Sequence, residues 1–269
     1  MPTQTGAPAR ARRATAAAGG VMGSLLGGVR WGVDRMLSVG YGLMYDYIYE
    51  QFPPYQQLQA EVLELVAAGA PEGVVKRDVQ VLEIGCGPGN LTFVLAEAGF
   101  NAVGLESYAA LMEVAREKRR ARRLANVAFR HGDLAEGAGI RDASFDEVVS
   151  VHTLYVHPQP ETLLREAYRI LKPGGHAIFV NHTRHVAPWA TFREIKRREG
   201  VRQALSSLLL WMVPNSIFET ARRRIGPHYW DEARLGANLR AAGFTVLEMR
   251  RTFLNGASLL AWARKDVGH

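Results

Sequence analysis

The chain is short of cysteine: Cys86 is the only one in 269 residues. A disulfide framework, a Cys-rich zinc site and a Cys-ligated iron–sulfur cluster are thereby excluded, and a reducing, cytoplasmic setting fits. No uncharged apolar run reaches the ~18–20 residues of a membrane-spanning helix. Acidic residues are outnumbered, 26 against 33 Lys and Arg, for a formal charge of +7. That excess attracts anions without choosing among nucleic acid, a lipid surface and a small acid. The histidines follow no HExxH-type spacing and have few acidic neighbours, so no metal ligands are assigned. Internal repeats are absent. What remains, 48% hydrophobic and 22% charged residues, is a globular composition able to fill a core of normal size.

Three regions differ in character. In residues 1–29, Arg10, Arg12 and Arg13 precede an uncharged stretch rich in alanine and glycine, which reads as a flexible basic arm rather than an export leader. Residues 30–70 read as a helical cap: the aromatic segment Trp31–Tyr55 is interrupted at Pro53-Pro54, and a helical pattern resumes over 56–68 through Leu58, Val62, Leu65 and Val66. From 71 to 269 strands alternate with helices. The strand candidates are 79–84, 102–106, 127–131, 145–151, 176–181, 244–250 and 258–263. Helical patterns separate the first five, Ser107 is placed to cap the second helix, and a helical insertion over 184–230 follows the fifth strand. Such alternation dictates βαβ units and a parallel sheet, an α/β fold.

Chemistry gathers at strand ends. Residues 81–90 read VLEIGCGPGN, an apolar strand delivering Gly85, Gly87 and Gly89 to the start of a helix. Glycines there let the backbone bend sharply and approach a ligand, with helix N–H groups aimed at it. The third glycine of a dinucleotide fingerprint would fall on Asn90, and Glu83 would repel a pyrophosphate while suiting a cation. Glu106, ending the second strand beside Ser107, can accept hydrogen bonds from both hydroxyls of a ribose. After the third strand, Gly132-Asp133-Leu134 offers an acceptor for an exocyclic amine and an apolar neighbour for its ring.

As a set these residues resemble the class I S-adenosylmethionine (SAM)-dependent methyltransferases, and more loosely their small-molecule "type 11" group. VLEIGCGPGN resembles the family's first motif, Glu106 its ribose-binding acid, Gly132-Asp133-Leu134 its adenine-binding turn, and Leu171-Lys172-Pro173-Gly174-Gly175 the turn before strand five. The resemblance implies a Rossmann-like sheet of seven strands, mostly parallel, with the last antiparallel, and SAM as cofactor. The residues so assigned to cofactor binding are Tyr45, Glu83, Gly85, Cys86, Gly87, Gly89, Asn90, Glu106, Ser107, Gly132, Asp133, Leu134 and His152.

Groups following strands four and five are the candidates for the acceptor pocket: His152, Tyr155, His157, Asn181, His182 and His185. His152, His157 and His182 are the candidate general bases, because an imidazole titrates near neutrality. The expected reaction is methyl transfer to an O, N or C atom of a small lipophilic or aromatic acceptor, with peripheral contact to an anionic membrane as an added expectation. Two alternatives share the fold, an NAD(P)-dependent oxidoreductase and an RNA-directed or non-catalytic SAM-binding module. Tyr168-x-x-x-Lys172 imitates the pair of short-chain dehydrogenases, but its lysine reads as the last turn of a helix before strand five. The end of strand four lacks the signatures of DNA methyltransferases, which disfavours DNA and leaves RNA open through the basic runs 116–123, 193–198 and 222–224.

Overall fold

The computed structural model describes residues 52–183, 188–209 and 228–267. A seven-stranded sheet organises them: β1 (Gln80–Ile84), β2 (Asn101–Glu106), β3 (Val127–His131), β4 (Phe145–Val151), β5 (Leu171–His182), β6 (Thr245–Thr252) and β7 (Ser258–Arg264). The order across it is β3-β2-β1-β4-β5-β7-β6. Pairings among β1 to β5 are parallel, whereas β7 runs antiparallel to both β5 and β6. The expected topology, with only the last strand reversed, is the one observed.

Strand alternation sends side chains to two cores. Val81, Ala102, Val149 and Ile178 join the core beneath α1 (Pro53–Gly69), α2 (Asn90–Glu97) and α3 (Ala109–Arg122). Leu82, Leu105, Val148 and Phe179 join the other, beneath α4 (Pro160–Ile170) and, further along the chain, α6 (Glu232–Ala241). Between them come α5 (Pro188–Glu199) and a helical stretch at 201–209. Helix α1 buries Tyr55, Leu58, Val62 and Val66, the i, i+3, i+4 stripe of an amphipathic helix.

Several local expectations change. The Pro53-Pro54 pair opens α1, which therefore begins three residues before the expected 56, since a proline at the first helical position sacrifices no hydrogen bond; the segment ahead of it lies outside the described residues. Tyr108, not Ser107, is the N-cap residue of α3, and no side chain caps that helix; the Ser107 hydroxyl faces Glu106 instead. Strand β5 starts at Leu171, directly after α4, so Lys172 lies on the strand rather than on a helical turn. Its ammonium sits 2.9 Å from both carboxylate oxygens of Asp146, near the amino end of β4, while the Tyr168 ring packs edge-on against Phe244. The apparent dehydrogenase pair is therefore split between structural roles at the wrong end of the sheet. The 1–29 arm, the aromatic segment up to residue 51 (Tyr45 included), His185 and the apolar run from 210 to 213 lie outside the described residues.

Candidate active site

In a sheet of this order the strand sequence reverses direction between β1 and β4, and a crevice opens at their carboxyl ends. The glycine turn leaves β1 at that point. The Gly85 and Cys86 N–H groups donate to the Leu105 carbonyl, tying the turn to β2. Gly85 is left-handed (φ 69°), and a Cβ there would meet Thr153 Cγ2 at 2.6 Å; Thr153 in turn donates its hydroxyl to the Ile84 carbonyl. Gly87 is also left-handed (φ 54°), yet a Cβ there would meet nothing within 4 Å. Gly85 is thus glycine because of protein packing, while Gly87 borders open space, as a residue facing a ligand should. Gly89, left-handed as well, is the N-cap of α2. Cys86 is buried, its thiol held well above its ordinary range by burial and by the nearby Glu83 and Glu106 carboxyls. Its sulfur packs against Gly104 of β2, where a Cβ would meet it at 2.7 Å. Asn90 accepts a 2.6 Å hydrogen bond from Lys118 at its Oδ1, which commits that end of its side chain to α3.

Two carboxyl groups lie under this turn. Glu83 is 4% exposed, and burial pushes its pKa up to about 8, even though the Thr92 hydroxyl donates to it. Glu106, 6% exposed, is likewise raised by burial. It accepts from Gly87 N–H at Oε2 and from Tyr108 N–H at Oε1, both at 2.9 Å. No cationic side chain is bonded to either acid among the described residues. A pyrophosphate placed against this turn would face two buried acids, whereas an ammonium or sulfonium would be stabilised by them.

At the end of β3, Asp133 caps the short 3-10 turn Leu134–Glu136, accepting from Ala135 N–H at 2.9 Å. His157 Nε2 lies 3.0 and 3.1 Å from the two Asp133 oxygens. Burial alone would raise this carboxyl, but the hydrogen bond and charge of His157 override it and lower the pKa. Leu134 is buried beside it.

Farther along the same edge of the sheet, β4 and β5 bring two imidazoles into register. His152, in a left-handed conformation (φ 53°), donates its N–H to the Val180 carbonyl at 2.8 Å. Its ring stacks on that of His182, with centroids 3.7 Å apart and planes 8° from parallel. The buried Ser258 hydroxyl at the start of β7 joins them, 2.9 Å from His152 Nε2 and 3.1 Å from His182 Nδ1. Phe253 packs 5.1 Å from the His152 ring, and Tyr155 meets His182 edge-on at 4.9 Å. Desolvation lowers both imidazoles: His152 well below its usual value, with the neighbouring His182 contributing, and His182 to about 4. Both are neutral at physiological pH. Of the acceptor candidates, His152, Tyr155 and His182 come together. His157 is drawn away to Asp133, and Asn181 donates to the His228 carbonyl.

Ser258 and Phe253 escaped the sequence reading because each is about 70 or more residues from the groups it serves. Phe253, Leu254 and Asn255 adopt three successive left-handed conformations before Gly256. That arrangement, costly for non-glycine residues, fixes Phe253 against the imidazoles. The turn also lines a cavity of about 770 Å³ with Pro53, Leu58, Thr191 and Ile195. Thr92 was not singled out from the sequence at all, although it lies nine residues after Glu83, to which its hydroxyl donates.

Comparison with known proteins agrees with this geometry. A family described as "Methyltransferase domain" matches residues 82–179. Over 109 residues the chain is 39% identical to an arsenite methyltransferase of Aquipseudomonas alcaligenes, covering 37% of this chain and 32% of that protein. It is 34% identical over 107 residues to a demethylmenaquinone methyltransferase of a Geobacillus species (39% and 45%) and 29% identical over 100 residues to a ubiquinone biosynthesis O-methyltransferase of Acinetobacter baylyi (37% and 42%). The matches thus span a third to under a half of these relatives' lengths. Among solved structures, a SAM-dependent methyltransferase from Aquifex aeolicus superposes with a TM-score of 0.53 at 16% identity, over 80% of this chain and 91% of that one. The cyclase SpnF does so at 0.57 and 20%, over 81% and 84%. Likenesses at these identities establish the fold alone, and they include a cyclase. The family match and the curated relatives add what the fold by itself does not: residues 82–179 match a methyltransferase domain, and the relatives aligned to this region are named as methyltransferases.

Proposed function

We propose that the protein transfers the methyl group of SAM to a small aromatic acceptor held against the His152–His182 pair. The observation that carries this reading is the imidazole stack at the ends of β4 and β5, walled by Phe253 and Tyr155 and bridged by Ser258. SAM supplies an already activated methyl on a sulfonium, so the chain's task is alignment and, for a protonated acceptor, removal of a proton. Gly87 borders the cofactor, Glu106 accepts from the ribose hydroxyls, and Asp133, oriented by His157, takes the exocyclic amine beside Leu134. Glu83 faces the methionine ammonium, which draws its proton off.

Ser258 has one hydrogen to share between two neutral imidazoles. It donates to one ring and accepts from the other, so that one of the two remaining ring nitrogens keeps a lone pair. That nitrogen is the base for a hydroxyl acceptor, and the aromatic walls suit a flat ring. The names of the quinone-directed relatives point to the same class of acceptor. Arsenite, the acceptor named for another relative, is a soft ion best held by several thiolates, and this chain offers only the buried Cys86.

The test is a titration with SAM and with NADPH, followed by transfer of labelled methyl to a panel of phenols and hydroquinones by wild type and His182→Ala. Binding of SAM alone and label on the ring, reduced about 10²-fold or more in the variant, supports the proposal. Failure to bind SAM, or label found on RNA instead, defeats it.

A further inference from the structure

Helix 201–209 is turned inside out. It buries Ala204 (0% exposed) and Ser207 (3%), and of its four large apolar residues it exposes three, Val201 (50%), Leu205 (49%) and Leu209 (64%), leaving only Leu208 half-buried against the inner side. At ~100° per residue these three fall within about 80° of one another, a continuous outward stripe with exposed Arg202 at its edge. Trp189 in α5 is 70% exposed as well, though α5 buries Ile195 and Thr191 normally. A helix that only had to cover the core would place these side chains the other way.

Charge selects the partner. The segment 188–209 carries Arg193, Lys196, Arg197, Arg198 and Arg202 against Glu194 and Glu199, all exposed except the half-buried Glu194. A symmetric dimer through this face would set like charge against like charge. Residues 1–51 are no better complement, with five arginines against Asp34, Asp46 and Glu50. Aliphatic residues and a tryptophan bordered by lysine and arginine match the acyl boundary and headgroups of an anionic bilayer. We propose that the 188–209 segment docks the protein on anionic lipid, with Leu205, Leu209 and Trp189 entering the interface and the neighbouring cations meeting the phosphates. Thr191 and Ile195 on the inner side of α5 line the 770 Å³ cavity, so the docked face also backs that cavity. The proposal does not depend on which acceptor is methylated.

The experiment is co-sedimentation of the full chain with vesicles of phosphatidylcholine, alone or with about a third phosphatidylglycerol, without SAM or acceptor. Binding is expected to the anionic vesicles only, and to fall as NaCl rises from ~0.05 to ~0.5 M. The double variant Leu205→Glu/Leu209→Glu should reduce binding at least about tenfold with an unchanged melting curve. Arg197→Glu/Arg202→Glu should do likewise while keeping the apolar stripe. No binding at low salt, equal binding to neutral vesicles, or wild-type binding by both variants overturns the proposal. So does a concentration-dependent dimer in sedimentation velocity that the leucine variant abolishes, which would assign the face to a second copy.

Discussion

Replacing Glu83 by glutamine should stabilise the fold at high pH while weakening the cofactor. Burial holds this carboxyl at about 8, against 4.5 in an unfolded chain. Between those values the folded state keeps a proton that the unfolded chain has released. Stability therefore declines as pH rises across that window, by about 5 kcal/mol in total for a displacement of this size. Glutamine mimics the protonated acid, including the bond from Thr92, and does not titrate. Wild type and variant should melt together near pH 5, and the variant should melt higher by pH 9. At ~2–4 °C per kcal/mol for a domain of this size, the gap should reach roughly 10 °C. Glu147, fully buried and raised by burial to about 7, adds a slope of the same sign. The comparison is therefore made with Glu147→Gln in both proteins. SAM binding at pH 8 should move oppositely, weakening by about 1.5–3 kcal/mol as a charged hydrogen bond is lost. The assay is calorimetric melting from pH 5 to 9 with SAM titrations alongside. A melting gap independent of pH would show that Glu83 ionises normally and refute the argument.

Glu106→Ala should weaken SAM by about 1.5–3 kcal/mol in calorimetric titration, with circular dichroism unchanged, because the acid sits at a strand end and bonds only the turn around it. Gly85→Ala should cost about 2–4 kcal/mol in urea unfolding, combining a left-handed backbone with a Cβ driven into Thr153, and Thr153→Ala should restore part of it. Ser258→Ala should lower turnover more than SAM affinity and alter the pH–rate profile, since the two imidazoles then lose their shared partner; an unchanged profile would leave Ser258 a packing residue.

The core of the domain was readable because its signals are local. Glycines at Gly85 and Gly87, an acid closing β2 and Asp133 after β3 each sit within a few residues of the strand that positions them. What the sequence hid is set by distance along the chain. The Glu147–His176 contact, at 3.4 Å, depends on the β4–β5 register, and the Ser258 bridge depends on a strand reaching back to β5. Histidines 152, 157 and 182 looked equivalent on the page. Packing divided them, two into a desolvated stack and one into hydrogen-bond contact with Asp133. Ser107 failed as a cap because the helix begins one residue later: Tyr108 holds the N-cap position, and the Ser107 hydroxyl donates to Glu106 outside it.

Strand β7 lies between β5 and β6 although it is made after both. During synthesis β5 must wait for about 75 further residues before its second neighbour exists, roughly 4–15 s at ordinary translation rates. Throughout that interval one side of β5 presents unpaired N–H and C=O groups, the kind of edge that recruits stray strands. The hydroxyl that joins the two histidines arrives with the same strand. A nascent chain can therefore fold its glycine turn and the strand-end acids around it well before the imidazole stack gains its bridging hydroxyl, and a ribosome stalled ahead of residue 258 would carry an incomplete cluster with an open, adhesive sheet.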